Sequence, residues 1–431
     1  MQLIIKKNSK FSGNIFLPTS KSETIRGLFF SLLAKGKSKI HHFLESDDTN
    51  DAISVCRKLG ALLHKNNNKV MIESEGAPFD IPNNHIYTGN SGITTHFVLP
   101  LLGFRKNSTE VVTVESGKQM QQRSINSFVN ALKQLGLKIE YILNDGFLPI
   151  RISGDLMGGN ANLDGITSQY LSALLIALPL APRDSILTVK NLHERPYVNM
   201  TLRWLDEQNI SYSHQYIEQE DIYHIKGRSS FNNFQKKMSG DFSSASYFIA
   251  ASLLLNGEIE LQGLDMKDAQ GDKQFISLMR NAGADIEISS SKVIVRGGRS
   301  LAGMDIDAKD IPDLVPTLAV IGTQMKSRLK IYNVPNARLK ETDRIHSMAE
   351  GLRRLGAKIE EFEDGITIYP TRLTGNKLEG FHDHRTVMAL CVAGMCADGE
   401  TIIENAEAIH KTFPDYVKLM QKLGATISTS E

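Results

Sequence analysis

The sequence predicts an α/β fold made of six units of the form βαβαββ, and two observations carry that prediction. A segment that ends a helix and opens a strand recurs along the whole chain, and polar, chemically capable residues recur at the starts of equivalent helices. The recurring segment reads CRKLGALL, LKQLGLKI, LMRNAGADI, LRRLGAKI and MQKLGATI, with key glycines Gly60, Gly136, Gly283, Gly356 and Gly424. The gap between Gly136 and Gly283 is twice the others, and the missing copy falls at Leu205–Ile210, where Asn209 replaces glycine. Asparagine is the next-best residue for the left-handed conformation that closes a helix, so the substitution keeps the signal. The spacings are then 76, 73, 74, 73 and 68 residues, and six units account for the 431-residue chain. A chain this long exceeds one ordinary core, which predicts two lobes of three units each.

Within the first unit, Ile25, Leu28, Phe29, Leu32 and Leu33 fall at helical spacing, and a second helix ends at Gly60. Segments such as KVMIES and SILTVK read as strands, and Asn144-Asp-Gly and Glu363-Asp-Gly as hairpin turns. The first helix of successive units is expected to open at Ser20-Lys21-Ser22, Asn90-Ser91-Gly92, Thr167-Ser168-Gln169, Ser243-Ser244, Pro312-Asp313 and His384-Arg385. The second helices are expected to open near Asp48, Arg123, Pro196-Tyr197, Gly271-Asp272, Glu341-Thr342 and Lys411-Thr412. A helix start offers unpaired N–H groups and the positive end of the helix dipole, which suits phosphate and carboxylate.

Composition narrows the function classes. Lys and Arg total 49 against 48 Asp and Glu, a net charge of +1, which argues against a general nucleic-acid or membrane-surface binder. Apolar residues at 41% and charged residues at 23% are ordinary for a globular protein. Three cysteines, Cys56, Cys391 and Cys396, supply neither a disulfide framework nor a zinc site and point to a reducing compartment, the cytoplasm. The opening MQLIIKKNSKFSGNIF reads as a strand, not a leader, and the apolar run 171–181 is too short to span a bilayer. Ser20, Ser243 and Thr342 each have a plain reading as helix N-caps. Gly36-Lys37-Ser38 is no phosphate loop, because Ser31 stands where that motif needs glycine.

At the helix starts the chain resembles the enolpyruvyl transferases, and among them the branch that serves the shikimate pathway. The segments that carry the resemblance are Leu17-Pro-Thr-Ser-Lys21-Ser22-Glu-Thr-Ile-Arg26, Gly89-Asn-Ser-Gly92, Ser168-Gln169, Gly240–Tyr247, Gln270-Gly-Asp272, Asp310-Ile-Pro-Asp313, Asn336–Arg344, Asp383-His384-Arg385 and Lys411–Asp415. They span the full length, and KETDR, DHR and KTFPD together are highly specific. The resemblance implies two inside-out α/β barrel lobes, residues 1–19 with 239–431 and residues 20–238, with the active site in the cleft between them. It implies transfer of the enolpyruvyl group of phosphoenolpyruvate to the 5-hydroxyl of shikimate 3-phosphate, releasing phosphate, in a cytoplasmic monomer without metal or organic cofactor. By the same resemblance Asp313 is the base and Glu341 the acid, with Lys21 and Lys411 also catalytic. Lys21, Gly92, Arg123, Gln169, Arg344, Arg385 and Lys411 would bind phosphoenolpyruvate. Ser22, Arg26, Thr167, Ser168, Gln169, Tyr197, Asp313, Asn336 and Lys340 would hold the acceptor. The chemistry needs a base for the hydroxyl, an acid for the methylene carbon and cations around phosphate and carboxylate, and the chain has each.

Three positions depart from the family pattern. Glu194 stands where the family has Ser or Thr facing the acceptor's phosphate, His96 stands in place of Arg, and Ile93 in place of Thr. A carboxylate about 4 Å from a phosphate costs roughly 4 kcal/mol per charge pair at an effective dielectric near 20. Arg195 beside it could offset that cost, or Glu194 could point elsewhere. The alternative reading is a paralogue that acts on a different cyclic alcohol, with or without a phosphate.

Overall fold

The structure, a computed structural model, describes residues 1–66, 68–289 and 292–430. The chain divides into two compact units, Met1–Thr19 with Ser239–Glu431, and Ser20–Met238. Among the described residues the strands form six sheets, three in each unit.

One pattern serves all six sheets. Gly159–Asp164 runs parallel to Ser185–Lys190, which pairs antiparallel with Glu220–Ile225, which pairs antiparallel with Tyr212–Ile217. The first two strands are joined through the helix Ser168–Ala177 and the last two are a hairpin, separated from them by the helix Arg195–Glu207. This is the predicted βαβαββ order, and parallel strands require such a crossover helix. The glycines that end the second helices have φ of 96°, 113°, 101°, 94° and 104° at Gly60, Gly136, Gly283, Gly356 and Gly424. Asn209 joins them at φ 56°, so the divergent copy keeps the backbone turn that the others make.

Two sheets in one unit and one in the other are completed from a distance. Gln2–Lys6 lies between Glu400–Glu404 and Ile427–Ser430, and Gly13–Phe16 runs parallel to Glu258–Gln262. In exchange, Phe231–Asn232 and Gln235–Lys237 run parallel to Ala34–His41 at the edge of the first sheet of the other unit. The chain therefore crosses between units twice, at 19–20 and at 238–239.

The helices divide into two kinds, and the sequence says why. Gly92–Leu101 is buried at every position, and Lys21–Leu33, Ser168–Ala177, Phe242–Leu254, Val315–Gly322 and His384–Cys396 nearly so. These are apolar on all sides, and such a helix must sit inside. In one unit Lys21–Leu33, Gly92–Leu101 and Ser168–Ala177 form the core, and in the other Phe242–Leu254, Val315–Gly322 and His384–Cys396 do. The sheets lie outside them, which gives each unit its inside-out character. The second helices, such as Asn126–Gln134 and Arg344–Arg354, bury one face only. Among the described residues no helix is long and apolar enough to cross a membrane.

Candidate active site

The predicted polar residues do gather at helix starts. In the Ser20–Met238 unit, Ser20 caps Lys21–Leu33 by accepting from the Glu23 N–H, Ser91 caps Gly92–Leu101, and Thr167 caps Ser168–Ala177. Lys21, Ser22, Gly92, Ser168 and Gln169 therefore all occupy first turns. Tyr197 sits in the first turn of Arg195–Glu207. Arg123 falls in the break between the helices Lys118–Gln121 and Asn126–Gln134, not at a helix start.

These residues form three local groups. Lys21 Nζ donates to Asp48 Oδ2 at 3.1 Å, and Asp48 is itself buried in the first turn of Asp47–Lys58. Gly92 is where Arg123 and Gln169 come closest: a Cβ at Gly92 would stand 2.9 Å from an Arg123 amino nitrogen and 3.4 Å from Gln169 Oε1. A larger residue there would push the Arg123 side chain aside. His96, one turn on, places Nδ1 2.7 Å from Gln169 Oε1 and packs its ring edge-on against Tyr170, so the departure from arginine substitutes a hydrogen bond for a permanent charge. Ile93 is buried in the core of its unit.

Arg26 is 1% exposed and saturated by its own unit. Nε donates to Thr201 Oγ1 at 2.9 Å, and the terminal nitrogens donate to the Ser22 carbonyl, Ser172 Oγ and the Tyr197 carbonyl at 3.1, 3.2 and 2.9 Å. Burial pulls its proton affinity down to about 10, partly offset by Glu23 and Tyr197. The guanidinium ties Ser22 and Tyr197, two residues expected to bind the acceptor, to one buried point.

Glu194 neither faces solvent nor leans on its neighbour. It is 2% exposed, has the left-handed φ of 55°, and its Oε2 accepts from the Ser168 N–H at 3.1 Å and the Ser168 hydroxyl at 2.7 Å. The carboxylate thus sits at the positive end of helix Ser168–Ala177. Arg195 is turned to the buried Asp221, with two bonds of 2.7 and 2.9 Å, and His214 adds a third at 2.7 Å.

The other unit collects its charges around Arg344, which is 1% exposed and opens the helix Arg344–Arg354. Its Nε donates to Asp383 Oδ2 at 2.8 Å, one terminal nitrogen to Asp313 Oδ1 at 2.6 Å, and the other to Glu341 Oε2 at 2.6 Å. Burial alone would lower its proton affinity; Asp383, Glu341 and Asp313 outweigh that and raise it. Arg385 donates to Asp313 Oδ2 at 2.7 Å, and Lys411 Nζ lies 3.7 Å from Glu341 Oε1. The expected base and acid are therefore held by the same arginine, one on each terminal nitrogen.

Local sequence explains the placement. Asp313 lies in the 3-10 turn Pro312–Leu314, and Asp383 caps His384–Cys396, which presents Arg385 in its first turn. Lys411 ends the 3-10 helix Ala406–Lys411; Pro414 disfavours the helical region for Phe413, and the next helix begins only at Tyr416. Asn336 is buried in the 3-10 helix Pro335–Leu339, and Lys340 follows it just before Glu341.

Two plain cap readings fail. Ser243 is not a cap: Asp241 caps Phe242–Leu254, and the Ser243 hydroxyl donates to Asp272 Oδ2. Thr342 is not one either, because Asp343 accepts from the His346 N–H and caps Arg344–Arg354. Sequence reasoning gave no role to Asp48, Asp272 or Asp383. Asp383 caps the helix that opens with the expected Arg385, and that adjacency is the available signal; Asp48 and Asp272 lie at helix starts that carry no expected cation.

Comparison with known proteins bears on the whole chain. A family profile described as EPSP synthase (3-phosphoshikimate 1-carboxyvinyltransferase) matches residues 5–420. The chain is 43% identical over 430 residues to a 3-phosphoshikimate 1-carboxyvinyltransferase of Acetivibrio thermocellus, covering all of both chains. It is 37% identical over 429 residues to the protein of that name from Methanococcus vannielii, covering 99% of each. In structure it is similar to EPSP synthase from Acinetobacter baumannii, with a TM-score of 0.82 and 22% identity over all of both chains. It is also similar to the enolpyruvyl transferase NikO from Streptomyces tendae, with a TM-score of 0.79 and 16% identity over 100% of this chain and 98% of that one. The profile match and the full-length identity place the chain in the EPSP synthase (3-phosphoshikimate 1-carboxyvinyltransferase) family.

Proposed function

We propose that this protein transfers the enolpyruvyl group of phosphoenolpyruvate to the 5-hydroxyl of shikimate 3-phosphate and releases phosphate, in the cytoplasm and as a monomer. The observation that carries the reading is the pairing of Asp313 and Glu341 on Arg344, with Arg385 and Lys411 beside them.

The acceptor's hydroxyl oxygen attacks C2 of phosphoenolpyruvate while Asp313 takes the hydroxyl proton. Glu341 gives a proton to the methylene carbon, which becomes a methyl group in a tetrahedral intermediate. Loss of a methyl proton and of phosphate from C2 regenerates the double bond in the product. Arg344, Arg385 and Lys411 bind the phosphate and carboxylate of phosphoenolpyruvate, together with Lys21, Arg123, Gly92 and Gln169. When a substrate anion takes the arginines, Asp313 loses its counter-charges and becomes a better proton acceptor. Ser22, Thr167, Ser168, Tyr197, Asn336 and Lys340 hold the acceptor, and Arg26 fixes Ser22 and Tyr197 from behind.

The test is direct: purified protein is mixed with both substrates, and phosphate release and product mass are followed. Rapid turnover is expected. Asp313→Ala and Glu341→Ala should each lower kcat by at least about 100-fold, as acid/base groups do. A folded protein that binds phosphoenolpyruvate but does not turn over would point to another cyclic alcohol as acceptor.

A further inference from the structure

Asp272 has no part in the chemistry above, yet it is the most anomalous carboxyl group near it. It is 1% exposed, in the 3-10 turn Gly271–Lys273. Its Oδ2 accepts from the Ser243 hydroxyl, while its Oδ1 is buried without a hydrogen-bond partner. An ionised carboxylate does not sit stably with one oxygen orphaned and dry.

The surrounding charges explain how it persists. Three cations, Arg344, Arg385 and Lys411, are grouped with Asp313, Glu341 and Asp383, a balance of three against three. Asp272 is a further carboxyl beside this group, and a proton on it avoids adding another negative charge next to Asp313. Burial, then the charge of Asp313, push its proton affinity up to about 7; Arg385 and the Ser243 hydroxyl pull it down, and Asp241 adds a small push upward. These charges come from the turn Pro312–Leu314, the helix His384–Cys396 and the cap of Phe242–Leu254. On its own turn, Lys273 is directed to the Asp268 carbonyl at 2.5 Å.

We propose that Asp272 is a positioning residue that acts through Arg385: protonated, it leaves Arg385 to an anionic group of the substrate, and ionised, it draws Arg385 to its own bare oxygen. The proposal rests on Arg385 binding phosphoenolpyruvate. Ionised Asp272 also adds a negative charge beside an anionic substrate. Apparent affinity for phosphoenolpyruvate therefore falls as pH rises through the Asp272 transition.

The experiment measures KM for phosphoenolpyruvate, with shikimate 3-phosphate saturating, from about pH 6 to about pH 8.5 in wild type and Asp272→Asn. The second ionisation of phosphoenolpyruvate affects both proteins and cancels in the ratio. The ratio of wild-type to variant KM should climb about tenfold across the range, with kcat moving much less. Ser243→Ala removes a hydrogen bond that favours the ionised form, so it should move the rise in KM to higher pH. A ratio that stays flat with pH, or a Ser243→Ala profile that does not move upward, overturns the proposal. Should Asp272→Asn fail to fold, the Ser243→Ala profile decides alone. Absence of wild-type turnover at every pH strikes the substrate reading instead, and the Asp272 arm is then read from the pH dependence of phosphoenolpyruvate binding by calorimetry.

Discussion

Arg344 and Arg26 are both 1% exposed, and the two units hold them in opposite ways. Arg344 is ringed by three carboxylates. Arg26 is ringed by two hydroxyls and two carbonyls. Carboxylates raise the proton affinity of Arg344, while the neutral ring leaves burial to lower that of Arg26 to about 10. The carboxylate ring cancels its cation's field and holds the two carboxyls proposed as base and acid. The neutral ring leaves the charge of Arg26 offset only in part, by Glu23 and Tyr197, and uses its four bonds as a brace. Around Arg344, then, carboxyl groups offset the cations that a near-neutral chain gathers there.

Breaking the carboxylate ring should have the largest effect. Arg344→Met strips the buried Asp383 and the partly buried Asp313 and Glu341 of their counter-charge and should cost about 3–5 kcal/mol of stability at neutral pH. Urea unfolding checks this, and the loss should shrink in acid, where the carboxyls protonate. Breaking the neutral ring should cost less. Arg26→Lys cannot reproduce four donor bonds in a fixed fork and should lose about 2–3 kcal/mol, with little change between neutral and mildly acidic pH. Equal pH dependence in the two variants would remove the distinction.

A smaller effect sharpens it. Glu194 puts a carboxylate on Ser168, a residue proposed to hold the acceptor. Glu194→Ser should lower KM for shikimate 3-phosphate by roughly tenfold, because the substrate no longer displaces an internal anion from a helix start. Unchanged or weaker binding would mean that the acceptor's phosphate sits elsewhere. The smallest effect concerns Asp221. Burial pushes its carboxyl up, but the bonds from Arg195 and His214 outweigh burial and hold it below the ordinary value. Its contribution is present above the unfolded carboxyl's range and is lost as pH falls through the depressed folded value. Asp221→Asn should thus cost about 1 kcal/mol at neutral pH and flatten the acid limb of the stability curve.

What the sequence revealed follows from what leaves a local trace. The left-handed closing turn must be glycine or asparagine, so Gly60 through Gly424 and Asn209 mark the units one by one. Helices apolar on every side must be inside. Polar residues that recur at equivalent helix starts are visible as a pattern, so Lys21, Gly92, Ser168, Asp313 and Arg385 could be placed in first turns from the sequence. Counter-charges leave no such trace. Asp48, Asp272 and Asp383 look like ordinary helix-start acids, and only geometry shows that they meet Lys21, Ser243 and Arg344. The direction of Glu194 was equally hidden, since nothing local says that Arg195 turns to Asp221 and leaves the carboxylate to Ser168.

The exchanged strands set an order of assembly. Residues 20–238 contain everything their three sheets require, so that unit can close while the ribosome is still at work. Gln2–Lys6 precedes that unit in the chain, yet its partners Glu400–Glu404 and Ile427–Ser430 follow it. That strand must therefore wait unpaired while the whole intervening unit is made, a delay that long-range pairing imposes and that invites chaperones and misassembly.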